Sequence, residues 1–337
     1  MTPPPKSRVG IRDVARVAGV STATVSQAYN NPDAVAPKTR ERVLAVGARM
    51  GYRPNPTGRA LRSGSSRTLC VVASFRDPLI TEASFMPCFR NTIAGAVLGA
   101  SEHGYGVTAG RAAADGSIVK LPEPEGRLFI VVDPMPSDPI VERGLADGLP
   151  VVASGSYADR GDARLGAVSL DIASAVPRAL DRMRERADGR RFRPAVFIGA
   201  RLDRFTNELI AAYQTWCAEH GLPPQGAALQ PGESLIDVAS RILSSRSRPA
   251  AVLCPSESFS RALLQAASSL GVAVPGELQI VTVGDPEGVG RQDGVAYLAT
   301  DPVANGMRCA RLLISLIDQG EPERVVLPLP LVESAPA

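Results

Sequence analysis

The chain has 337 residues, of which 45% are hydrophobic, enough for two or three domains with sizeable cores. It reads as soluble, globular and cytoplasmic: no export signal opens it, and its apolar runs break well short of the ~18 residues a membrane helix needs. Its net charge of +3 is unevenly placed, with +9 accumulated through Arg67 and −6 beyond it. That asymmetry points to a polyanion-binding head on a neutral or acidic body, with a solvated basic face as the alternative.

In chain order, Ile11, Val14, Ala15 and Ala18 recur at i, i+3, i+4 and i+7, one apolar helical face with Asp13 in its first turn. Gly19 ends this helix, and Ser21 is placed to cap the next, which spans 22–29. Only three residues separate the two, the arrangement of a helix-turn-helix. The second helix shows Thr22, Ala23, Ser26 and Gln27 outward and Val25 and Ala28 inward. A third helix starts at Pro37, turns Val43, Val46 and Met50 inward, and stops at Gly51.

The run "IRDVARVAGVSTATVSQAYNN", followed by "VAPKTRERVLAVGARMGYRPNPTGRAL", resembles the lactose-repressor (LacI/GalR) family of bacterial transcription regulators over residues 9 to 63. The resemblance implies that Ser21, Thr24, Ser26, Asn30, Thr39, Tyr52 and Asn55 contact phosphates, a role that short hydroxyl and amide groups serve by fixing register without reading sequence. It implies that Thr22, Ala23 and Gln27 read bases in the major groove. Gln27 stands where arginine is common, and glutamine pairs bidentately with adenine where arginine favours guanine. In "YRPNPTGRALRSGSSRT", Pro54, Pro56, Gly58 and Gly64 argue against a stable free helix. Similar family segments are hinge helices that fold on DNA, with a leucine, here Leu61, wedged into the minor groove. Gly58 replaces a usual alanine and weakens that hinge.

Beyond Thr68, short apolar runs alternate with helical stretches. Strands are expected at 69–73, 106–109, 128–132, 151–153, 195–198, 251–254 and 280–283. Helices are expected at 91–102, 173–186, 207–219, 238–243, 258–270 and 303–316. Such alternation means parallel sheets covered by helices on both faces, and about ten units suit two doubly wound lobes. This agrees with the family body, which resembles periplasmic sugar-binding proteins holding a ligand between two lobes. The resulting organisation is a helix-turn-helix domain at 1–52, a hinge and linker at 53–67, and an effector-binding and dimerisation body at 68–337. Its first lobe takes approximately 68–162 and 296–316, and its second 163–295 and 317–333.

The ligand pocket departs from the family pattern. Asn207-Glu208-Leu209 stands where an Arg-x-Arg is common, Ser256-Glu257 replaces an Asn-Asp pair, and Gly284-Asp285-Pro286-Glu287 replaces a glycine-aromatic-Asp-Asp run. The first lobe is also short between Ala109 and Leu128. Asn207, Ser256, Glu257 and Asp285 are the candidate effector contacts, with solvated loop residues as the alternative.

An enzyme finds little support. His103 and His220 sit in "EHG" helix ends and are too few for a zinc site, and "GDPEGVG" lacks the Lys-Ser/Thr of a P-loop. The five cysteines (Cys70, Cys88, Cys217, Cys254, Cys309) are scattered, so no disulfide framework, metal centre or cofactor is expected. The ending "LPLPLVESAPA" carries no leucine heptads, and a dimer without a tetramerising coil is expected. The sequence therefore reads as a repressor that binds near-palindromic double-stranded operator DNA as a homodimer, its affinity set by a small effector such as a sugar or related metabolite. The alternatives are a constitutive repressor with a degenerate pocket, a cytosolic sugar-binding protein, or an enzyme.

Overall fold

A computed structural model describes residues 11–30, 34–50, 67–74, 82–112, 118, 128–157, 161–187, 191–199, 204–230, 232–288, 291–318 and 320–333, without the side chains of 11, 12, 30 and 82–86. The chain divides into two units, Met1–Ser66 and Arg67–Ala337.

The first unit contains α1 (Ile11–Ala18), α2 (Thr22–Asn30) and α3 (Pro37–Met50). Gly19 adopts the left-handed φ of 63°, and the Val20 N–H bonds the Ala15 carbonyl at 3.1 Å, so α1 closes in a Schellman turn. Ser21 then caps α2, its Oγ accepting from the Thr24 N–H at 3.1 Å. Val14, Ala15, Ala18, Val25, Ala28, Val35, Val43 and Val46 make the small core, with Tyr29 and Met50 packed against it. Gly47 lies against the Tyr29 hydroxyl, a contact that leaves no room for a Cβ.

The second unit holds two six-stranded sheets. The strands are β1 (Thr68–Ala73), β2 (Gly106–Arg111), β3 (Leu128–Val132), β4 (Val151–Ser154), β5 (Leu165–Leu170), β6 (Pro194–Ile198), β7 (Gly226–Ala228), β8 (Ala251–Cys254), β9 (Gln279–Gly284), β10 (Val295–Ala299), β11 (Arg324–Leu327) and β12 (Leu331–Val332). The first sheet runs β11-β5-β4-β3-β1-β2 and the second β12-β10-β9-β8-β6-β7. All pairs are parallel except β10 with β12. Each sheet thus repeats the doubly wound 2-1-3-4-5 order, which places a crevice at the carboxyl ends of its strands.

Helices α4 (Glu82–Ser101), α5 (Pro139–Ala146), α6 (Ile172–Arg186), α7 (Arg204–Glu219), α8 (Leu235–Ser244), α9 (Glu257–Ser269) and α10 (Pro302–Ile317) cover the faces. Period-two alternation divides each sheet between two cores. Leu69, Val71, Ile130, Val132 and Val168 pack with α4 and α10, whereas Cys70, Val72, Phe129, Val131 and Val151 pack with Ile140, Val141 and Leu145 of α5. In the second sheet, Val196, Leu253 and Val281 face α6 and α7, whereas Phe197, Val252 and Ile280 face α8 and α9. Helices α4 and α10 touch along glycines: Gly95 against the Val303 carbonyl, Gly99 against Met307, and Gly306 against Thr92 and Ala96.

The sheet pairing corrects the expected lobe boundaries. β5 joins β4 through Val151 and Leu165, so the chain leaves the first lobe after Leu170 instead of near 162. β10 pairs with β9, so 295–299 belongs to the second lobe, and β11 pairs with β5, so 324–327 belongs to the first. Gly166 disguises β5 in the sequence. It is there because Leu312 of α10 sits where its Cβ would be, 2.8 Å away. The unexpected helix α5 starts on Asp138, which caps Ile140 at 2.9 Å, followed by Pro139.

Candidate nucleic-acid interface and ligand cleft

On the head, Ala23 and Gln27 are exposed and Thr22 is half-buried, at the start of α2 on the side opposite Val25 and Ala28. Ser21 is exposed beside them, with its hydroxyl 2.9 Å from that of Thr24. Ser26 and Thr39 are half-buried, and the Thr39 N–H bonds the Ala36 carbonyl at 2.9 Å where α3 begins. Tyr52, Asn55, Gly58, Leu61 and the side chain of Asn30 lie outside the described residues. Arg16, Lys38, Arg40, Arg42 and Arg49 are exposed, with Asp13 meeting Arg16 only at 3.5 Å. A capped, cation-rich helical unit with short polar groups at the start of its second helix is chemically suited to a phosphate-lined groove. Burial against the helical core raises the Tyr29 phenol above its ordinary pKa, so it stays neutral.

In the body, α4 and α9 touch across the two lobes, at the carboxyl-terminal ends of the strands where this fold places its crevice. From the first lobe come Cys88 on α4, Asp133 after β3, and Ser154-Gly155-Ser156 where β4 ends. Asp133 and Ser137 hold φ near +50°, an uncommon backbone for residues other than glycine. Buried Asp138 fixes the loop between them, accepting from Ser74 Oγ, from the Met135 N–H at 3.2 Å and from the Ile140 N–H. From the second lobe come Glu257 and Asp285. Glu257 is half-buried and accepts the Asp285 N–H at 3.1 Å, and burial together with the Asp285 charge raises its carboxyl above the ordinary range. Gly284 makes room for it, since a Cβ there would stand 2.7 Å from Glu257 Oε1.

Cys88 marks the junction. Its side chain reaches solvent, yet crowding by the cleft walls pushes its thiol up to about 11, with Asp133, Glu257 and Asp285 adding repulsion against a bond from Thr92. The other four cysteines are buried thiols outside any disulfide. Among the described residues no His, Cys, Asp and Glu cluster could hold a metal ion, and no helix is long and apolar enough to cross a membrane.

The expected effector contacts fall unevenly. Glu257 and Asp285 stand together at the cleft. Asp285 also closes its own turn, accepting the Glu287 N–H at 3.0 Å. Ser256 occupies the N-cap of α9 but makes no cap bond, and its buried Oγ has no hydrogen-bond partner. Asn207 is exposed on the first turn of α7, and its neighbour Glu208 is the residue that reaches the first lobe, accepting from Ser156 Oγ at 2.7 Å. Cys88, Asp133 and Ser156 were missed in the sequence, although Asp133 and Ser156 each follow an expected strand at its carboxyl end, where α/β ligand sites lie.

Comparison with known proteins agrees with both halves. The description "Bacterial regulatory proteins, lacI family" matches residues 10–55, and "Periplasmic binding protein-like domain" matches residues 164–334, about half of the chain. An HTH-type transcriptional regulator of Mycobacterium tuberculosis is 27% identical over 366 residues, covering 100% of this chain and 99% of that protein. The HTH-type transcriptional repressor CytR of Escherichia coli is 42% identical over 100 residues, 30% of this chain and 27% of the relative. Among solved structures, a complex of the transcriptional regulator CelR with cellobiose shares the fold at a TM-score of 0.65 and 22% identity, covering 97% of this chain and 100% of that one. The lac repressor dimer bound to operator and the anti-inducer ONPF does so at 0.63 and 18%, covering 97% and 98%. These relatives regulate transcription and are not enzymes. With its helix-turn-helix head and the periplasmic-binding-protein-like lobes behind it, the chain belongs to the LacI/GalR family of bacterial transcription regulators.

Proposed function

We propose that this regulator is a repressor that grips a near-palindromic operator as a homodimer and changes its grip when a small effector occupies the interlobe cleft. The observation that carries this reading is the exposure of Ala23 and Gln27 on the first turns of α2, beside the capping Ser21 and half-buried Thr22. In this reading Thr22, Ala23 and Gln27 read bases, Ser21, Thr24, Ser26, Asn30, Thr39, Tyr52 and Asn55 hold phosphates, and Gly58 and Leu61 belong to the minor-groove hinge. The domain limits are 1–52 for the head, 53–67 for the hinge and linker, and 68–337 for the body. Asn207, Ser256, Glu257 and Asp285 line the effector side of the second lobe. The carboxylates around Cys88 favour a neutral polyhydroxyl or a cationic effector over an anion. Exposed Val97 and Leu98 on α4 supply an apolar surface for dimerisation. The protein acts in the cytoplasm, on double-stranded DNA.

The test is selection of duplexes from a randomised pool by the full-length protein at near-physiological salt, where non-specific binding is weak. A palindrome with half-sites about one helical turn apart supports the reading. Recovery of no sequence, or of a single unpaired half-site, refutes it.

A further inference from the structure

The first lobe presents Ser156 on a rigid mount. Gly155 before it takes a φ of +128°, with the place of its missing Cβ 3.7 Å from the Asp133 Cα and 3.5 Å from Pro134. Tyr157 after it is buried, its hydroxyl donating to Glu142 at 3.0 Å and accepting the Asp138 N–H, and its carbonyl accepting from Arg324 at 2.9 Å. Ser156 therefore has little freedom to follow a departing partner.

The second lobe presents Glu208 in the same manner. Buried Thr206 and Leu209 anchor the first turns of α7 on either side of it. Arg204, one turn earlier, donates to Glu208 Oε1 at 3.1 Å, which fixes the carboxylate's orientation and leaves Oε2 for Ser156. A charge-assisted bond to a pre-oriented acceptor is stronger than one between neutral, mobile groups. Both ends being fixed to their own lobes, the 2.7 Å bond persists only while the lobes stay together.

We propose that Ser156 and Glu208, with Arg204 positioning the carboxylate, form a cross-lobe latch that holds the body closed. The latch sets how much of the population is closed before an effector arrives, and a ligand of the closed state binds more weakly once it is cut. This deepens the cleft reading above, but its test needs neither effector nor DNA.

Cys88 supplies the probe: it lies where α4 meets the second lobe, and the charges of Glu257 and Asp285 across the cleft disfavour its reactive thiolate, so its alkylation speeds when the lobes part. In the full-length protein, alkylation by a small maleimide is followed by peptide mass spectrometry. Ser156→Ala removes the bond without removing a charge, and should speed labelling of Cys88 by about five-fold or more, the factor that corresponds to roughly 1 kcal/mol of closure. Glu208→Ala should do the same, and the double variant should add little to either, as members of one bond behave. Glu208→Gln, which keeps an acceptor, should fall between. An unchanged Cys88 rate in Ser156→Ala overturns the proposal. So does labelling that spreads to Cys70, Cys217, Cys254 and Cys309, which reports general loosening. Failure of the operator selection combined with faster Cys88 labelling would leave the latch standing and the repressor reading refuted.

Discussion

Replacing Gly306 by alanine sets two effects against each other within the first lobe. In the interior of α10 a Gly→Ala change gains about 1 kcal/mol of helix propensity. Against this, the new Cβ would stand 2.8 Å from the Ala96 nitrogen and 2.9 Å from the Thr92 carbonyl carbon, with the Thr92 oxygen closer still. These are backbone atoms of a packed helix and cannot rotate aside, so the upper part of the overpacking range, roughly 2–3 kcal/mol, applies. The expected net loss is about 1–2 kcal/mol, a fall of roughly 3–6 °C in Tm for a lobe of this size. Gly95→Ala meets the Val303 backbone in the same way and should give a similar loss. Separating the two helices once relieves both clashes, so the double variant should lose less than the sum of the singles. Scanning calorimetry of the full-length protein reads these shifts. A higher Tm for Gly306→Ala would refute the claim that glycine is present for close approach and leave only its propensity to explain.

Ser21→Ala removes the cap on the Thr24 N–H and should destabilise α2 by about 1 kcal/mol, read as roughly five-fold faster amide exchange confined to the head. Gln27→Arg should move the selected base at its contact from adenine towards guanine, an odds shift of roughly 5- to 150-fold for about 1–3 kcal/mol, measured by repeating the duplex selection. Glu257→Gln should raise the Tm near neutral pH, because burial raises the carboxyl's pKa and so makes its ionisation costlier in the folded than in the unfolded state. Below the ordinary carboxylate range Glu257 is protonated in both the folded and unfolded states, so the gain should shrink as pH falls. A gain independent of pH would contradict the assigned cause.

Most strands named in advance, such as 128–132 and 251–254, are buried on both faces and so required continuous apolar residues, although the part-exposed edge 106–109 was named too, and the helices are those with an apolar stripe. The strands that escaped were built from small residues at close contacts or lie at edges, and the eight-residue helix α5 is too short for its stripe of Ile140, Val141 and Leu145 to stand out. β5 carries Gly166 under Leu312, β7 is the three-residue edge Gly226–Ala228, and β11 is the half-exposed edge Arg324–Leu327. The head was readable nearly to the residue because each of its signals is local: Gly19 in its left-handed turn, Ser21 on Thr24, Pro37 at a helix start. The cleft was only half readable. Glu257 and Asp285 are neighbours through a bond between adjacent strand ends, but their approach to Cys88 and Asp133, and that of Ser156 to Glu208, depends on how two lobes close on each other. No local spacing in the chain encodes that closure.

The final segment contributes a strand to each sheet: β11 lies beside β5 in the first, and β12 beside β10 in the second. Helix α10, which fills the core of the first lobe, also comes late in the chain. During synthesis the first lobe therefore waits, with Leu69, Val71 and Ile130 covered by α4 alone, until residues 302–327 have left the ribosome. A nascent chain halted before Pro302 would expose that surface to chaperones and to other chains, whereas the second lobe would lack only the short segment that carries buried Leu329 and the two-residue edge strand β12.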